Sequence, residues 1–118
     1  MKPRPQTLPA KVTKIKTGYG NLYVTITEFE GKPWEVFCTI GKSGAGVMAK
    51  AEVTGRLASL ALRHGIPVEE VIHQLLDIRG DHPTPFKAGV VKSIPDAVGK
   101  ILEERYGGAK CPTTQEKN

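Results

Sequence analysis

Residues Glu35 to Gly46, EVFCTIGKSGAG, join an apolar run to a glycine-rich turn carrying a lysine and a serine. In nucleotide-binding chains such a turn cradles phosphate, but that motif needs a glycine five residues ahead of its Gly-Lys pair. Here that position is Val36, so the backbone wrap around a nucleotide's phosphates is missing. The smaller reading is a strand-to-helix turn in which Ser43 caps the helix. Lys42, Ser43 and Gly44, beside free N–H groups at a helix start, then form a candidate site for a carboxylate or a single phosphate. A second constellation is basic and aromatic. Lys2, Arg4, Lys11, Lys14 and Lys16 precede the first acid, Glu28, with Tyr19 and Tyr23 close behind. Lysines contact phosphates and tyrosines stack on bases, so these seven residues are the candidate contacts for nucleic acid or for an acidic partner surface.

Other reactive side chains are scattered. His64, His73 and His82 do not pair with each other or with Cys38 and Cys111 at metal-ligand spacing, so no metal site is expected. Glu69-Glu70 and Glu103-Glu104 read as solvated helix faces, and no Ser–His–Asp arrangement can be defended. No catalytic residues and no cofactor are therefore assigned, and an enzyme is not expected.

The elements that position these residues follow from periodicity. Residues 1–9 hold Pro3, Pro5 and Pro9 among polar residues and read as an extended basic arm. KVTKIKTG is rich in β-branched residues, and NLYVTITEF alternates Leu22, Val24 and Ile26 against Tyr23, Thr25 and Thr27. PWEVFCTI sets Trp34, Val36, Cys38 and Ile40 against Glu35, Phe37 and Thr39. Short turns at Gly18-Tyr19-Gly20-Asn21 and Glu30-Gly31-Lys32 make the three an antiparallel meander. Helical spacing begins at Val47 with a small-residue surface (Ala49, Ala51, Gly55, Ala58, Ala61) and ends near His64-Gly65. Pro67 opens a second helix whose buried stripe is Val68, Val71, Ile72, Leu75 and Leu76. Residues 79–91 read as a loop. A third helix starts at Ser93, with Asp96 three residues on completing an acidic capping box. Residues 107–118 read as a disordered tail. The expected fold is thus α+β, a three-stranded antiparallel meander packed against three helices in one domain, residues 10–106.

The 118 residues carry 17 Lys and Arg against 12 Asp and Glu. Five of those bases precede Glu28, so the remainder is balanced and the excess sits in the arm and first strand. No apolar run reaches the roughly eighteen residues of a membrane span, and no signal-peptide core is present. Cys38 and Cys111 read as two free thiols, and a cytoplasmic location is expected.

From about Pro9 to Tyr106 the chain resembles the TSCPD domain, the C-terminal domain of adenosylcobalamin-dependent (class II) ribonucleotide reductases. YVTITEFEGKPWEVFCTIGKSGAG, AKAEVTGRLASLALRHGIPVEEVIHQLLDIRG and KSIPDAVGKILEE carry the resemblance. The family's T-S-C-P-D falls on Lys92-Ser93-Ile94-Pro95-Asp96, with isoleucine at its cysteine. The metal binding suggested for cysteine-bearing members therefore does not transfer to Ile94. The reductases' C-terminal cysteine pair is also incomplete: Cys111-Pro112 is followed by Thr113-Thr114, and one thiol cannot form that disulfide. The resemblance implies a non-catalytic accessory or regulatory binding module in nucleotide or nucleic-acid metabolism. Its partner would be a ribonucleotide reductase or another nucleic-acid-metabolising enzyme. The alternative is a stand-alone nucleic-acid-binding protein working through the basic arm and hairpin.

Overall fold

Alternating β-branched residues build the sheet. In the computed structural model, which describes residues 2–41 and 44–107, β1 (Ala10–Thr17), β2 (Gly20–Phe29) and β3 (Lys32–Ile40) pair antiparallel in the order β1-β2-β3. The register sets Ile15 opposite Leu22 and Val24 opposite Cys38, which points one residue set inward from all three strands. The β2–β3 turn places Glu30 and Gly31 both at positive φ, the twist-matched two-residue hairpin. A bulge at Thr27/Glu28 interrupts the ladder beside Trp34. The indole is held there between the Phe29 ring, 4.9 Å away, and the Arg63 guanidinium, 4.7 Å from its centroid.

The helices lie on the inner face and along one edge. Helix α1 (Ala45–Arg63) starts two residues earlier than periodicity implied. Its cap is Gly44, whose carbonyl accepts from the N–H groups of Val47 and Met48, with no side-chain cap. The expected Ser43 cap is therefore corrected. Glycine leaves the cap to the backbone alone, and Lys42 and Ser43 lie outside the described residues. The small surface of α1 meets β3: a Cβ on Gly55 would come within 2.9 Å of the Val36 carbonyl oxygen. Ser59 Oγ accepts from Val36 N–H at 2.8 Å and donates to Val36 C=O at 3.0 Å, so a side chain satisfies both Val36 backbone groups at the strand edge. Gly65, at φ +87°, ends the helix in the expected left-handed cap.

Helix α2 (Val68–Leu75) buries Val71 and Ile72, while Leu75 is half-buried, not core as its stripe implied. It lies at the rim of an open groove, where one side of its side chain has no neighbour to pack on. Helix α3 (Ile94–Leu102) begins as read, with Asp96 N–H donating to Ser93 Oγ at 3.1 Å. Ile94, Val98 and Leu102 join Leu22, Val24 and Ile26 in the core.

Two elements were not foreseen. Residues 79–91, read as a loop, contain a small hairpin, β4 (Thr84–Phe86) with β5 (Gly89–Val91). Three-residue strands are too short to show alternation, and what fixes them is Val91 buried in the core. After Leu102 the chain widens into one π-helical turn, Glu103–Gly107. That turn aims Tyr106 Oη at Glu28 Oε2 (2.7 Å) and Arg105 at Thr13 Oγ1 (3.0 Å), tying it to β2 and β1. Apart from Gly107, which ends this turn, the residues read as a disordered tail lie outside the described ones.

Candidate functional site

Alternation gives the meander a second face, which the helices leave open. The register carries Lys16 across to Asn21, Lys14 to Tyr23 and Thr39, and Val12 to Thr25 and Phe37. Tyr23 is 40% and Phe37 49% exposed, so both rings have an accessible face. They are diagonal neighbours on adjacent strands, within reach of a common ligand. Neither Lys14 nor Lys16 meets a carboxylate at ion-pair distance among the described residues.

The other predicted contacts go elsewhere. Lys11 shares the inward-pointing set with Thr13 and Ile15, although its own side chain is exposed. Lys2 pairs with Glu30 at 2.6 Å, its ammonium 5.5 Å from the Phe29 ring centroid. Arg4 Nε donates to Glu35 Oε2 at 2.8 Å, and the same guanidinium donates to the carbonyls of Pro5 and Gln6. Glu35, on the open face by alternation, is thereby buried, its other oxygen accepting from Thr27 Oγ1. The arm thus covers the far end of the face, pairing with Glu35 there and with Glu30 in the adjoining turn. Tyr19 is half-buried, packed on the core with its ring 5.0 Å from His82. Phe37 was placed on the correct face by alternation, but nothing in a single strand indicated that its ring would lie diagonal to Tyr23.

Two grooves adjoin the helices. One, about 600 Å³, runs from Phe37 and Thr39 over the β3 edge to Met48, Gly55 and Arg56 of α1. Arg56 there is paired with Glu52 at 3.4 Å. The other, about 590 Å³ and almost wholly apolar, lies between α1 and α2 with Val53, Leu57, Ile66 and Ile78 exposed along it.

The remaining reactive groups are placed structurally. Burial pushes the Cys38 thiol up to about 12, which keeps it neutral and unreactive. The Tyr106 hydroxyl is also pushed up to about 12, first by burial and then by the bond to Glu28. Asp96 is fully buried and accepts from the backbone N–H of Asp77 and of Lys92, both at 2.8 Å, with Lys100 Nζ at 3.4 Å. It holds the loop after α2 onto the start of α3. Among the described residues no group of three His, Cys, Asp or Glu side chains could hold a metal ion. Of the anion-loop candidates only Gly44 is among the described residues, where its role is the helix cap.

No helix among the described residues is long and apolar enough to cross a membrane. No curated protein and no solved structure matches the chain. A family model does: that of the TSCPD domain, over residues 1–106. The match spans the arm, the meander and all three helices, and the family's name motif falls on the loop-to-α3 junction organised by Ser93 and Asp96. The chain belongs to the TSCPD domain family, a domain found in class II ribonucleotide reductases.

Proposed function

We propose that the chain is a non-catalytic accessory module that docks through its helical side onto a protein partner. That partner is a ribonucleotide reductase or another enzyme of nucleic-acid metabolism. The observation that carries this reading is the apolar groove between α1 and α2. Four large apolar side chains, Val53, Leu57, Ile66 and Ile78, stand 44–61% exposed along it. Contiguous exposed apolar surface of this kind marks interaction sites on soluble domains. Glu70 and Gln74 lie along the same groove, giving it the polar accompaniment typical of transient interfaces. Family membership supports the choice of partner, because the domain occurs within reductases that already contain their own catalytic machinery.

The test is reconstitution with the purified catalytic subunit of the host's reductase, read by calorimetry or gel filtration. Complex formation that Leu57→Glu weakens at least tenfold is the expected result. If the reductase does not bind, a photocrosslinker at Leu57 in the native host should instead capture an enzyme acting on nucleotides or nucleic acids. Neither outcome occurring would remove the reading.

A further inference from the structure

We infer that the open face of the sheet is a binding platform for single-stranded nucleic acid, built from Lys14, Lys16, Tyr23 and Phe37. Three features of this face fit that ligand together.

The first is charge. At one end Lys14 and Lys16 project side by side without acidic partners among the described residues, and no acid shares the rows formed with Asn21, Tyr23, Thr25, Phe37 and Thr39. At the other end Glu35, the only acid on the face among the described residues, is buried beneath Arg4. The arm therefore removes the negative charge that would repel a phosphate strand.

The second is shape. Three strands spaced about 4.8 Å apart give a face roughly 10 Å wide, with diagonal aromatic rings at its centre. A flat sheet has no element that enters a duplex groove, but it offers stacking surface to bases that are already unpaired. Tyr23 and Phe37 suit two successive bases, and Lys14 and Lys16 suit the phosphates on one side of them. Thr25, Thr39 and Asn21 supply hydrogen-bonding groups between.

The third is continuity. Beyond Phe37 the face opens into the groove against α1, where the Arg56–Glu52 pair adds no net charge to the path. An acidic peptide would satisfy the lysines but not the paired rings, so an unpaired nucleic-acid strand uses more of the face. This site is separate from the α1–α2 groove, and loss of either leaves the other to be measured.

The experiment uses the full chain with fluorescent oligothymidine, oligouridine and a matching duplex, followed by anisotropy at low salt. Binding to the single strands should exceed binding to the duplex. Two phosphate contacts on a single strand give a logarithmic salt slope of about −1.4. Lys14→Glu with Lys16→Glu should abolish binding. Tyr23→Ala and Phe37→Ala should each weaken it about tenfold, whereas Tyr23→Phe retains the stacking ring and the affinity. These positions are surface-exposed, and unchanged melting temperatures would exclude unfolding as the cause. Lys50→Glu, on α1, makes half that charge change away from the face, matching either lysine substitution singly, and should alter little. Leu57→Glu should leave nucleic-acid binding intact. The inference is overturned by absence of single-strand binding, equal affinity for duplex, displacement by polyglutamate as readily as by oligonucleotide, indifference to the aromatic substitutions, or an equal loss with Lys50→Glu.

Discussion

Asp96 shows how one side chain can organise a junction. Its carboxylate accepts two backbone N–H groups, one from the segment leaving α2 and one from the segment entering α3, and its own N–H is taken by Ser93. Removing one buried hydrogen-bonding partner leaves the others unsatisfied, which costs more than the bond itself was worth. Asp96→Ala should therefore destabilise the fold far more than Asp81→Ala, an exposed acid of the same type, in urea denaturation. Packing gives a second comparison. Leu102 is fully buried, so Leu102→Ala should cost about 2–5 kcal/mol, while half-buried Leu75→Ala should cost clearly less. Titration follows the same burial. Cys38 and Tyr106 both have folded-state pKa values raised to about 12, from about 9 and about 10. A raised pKa means that the neutral form is favoured by the fold, so this contribution is complete below pH 9 and is lost as pH rises toward 12. Melting temperature should fall across that window, and Cys38→Ala should flatten the lower part of the fall. In a Cys111→Ser background, Cys38 should react slowly with a thiol reagent at pH 8 and promptly in denaturant. Fast native labelling would contradict its burial.

At the scale of elements, the contact between α1 and β3 depends on the absence of a side chain at Gly55. A methyl there would press on the Val36 carbonyl, so Gly55→Ala should cost about 1–3 kcal/mol despite the better helix propensity of alanine. A neutral or stabilising outcome in thermal unfolding would mean that the helix sits further from the strand. The small-residue surface that allows this approach was legible in the sequence, as were the three strands and the Ser93 helix start. Each is written in local periodicity or in a cap a few residues long. Alternation set Tyr23 with Thr25 and Phe37 with Thr39, but it is the register that brings both to one face with Lys14 and Lys16. The unreadable parts depend on partners distant in sequence. Burial of Glu35 comes from Arg4, 31 positions away, and Tyr19 packs against the core and beside His82, 63 positions on. The β4–β5 hairpin and the π-helical turn likewise owe their form to the core they close over, not to their own short patterns.

For the molecule as a whole, the arm carries less free positive charge than its sequence implies. Arg4 and Lys2 are engaged with Glu35 and Glu30, so the arm is part of the fold. Arg4→Ala should lower the melting temperature, and adding Glu35→Gln should recover most of the loss because no buried carboxylate is then left without its cation. If the double variant is no better than the single, the pair is not what holds the arm. Metal dependence is a separate whole-molecule property. Chelators should leave the melting temperature unchanged and metal analysis of purified protein should find no stoichiometric zinc or iron; one ion per chain would contradict the reading of Ile94 and the dispersed histidines.

The bonds from Ser59 to Val36 have a consequence for self-association. Extended fibrils require a sheet that can accept a new strand on both sides, so that each added copy presents a fresh edge. On β3 that growth is obstructed by α1, whose serine already occupies the Val36 backbone groups. Of the two edge strands of this sheet, β1 and β3, that leaves β1 as the edge without such a block among the described residues. Two copies joined through β1 would leave a blocked edge at each end, and polymerisation would stop at the pair.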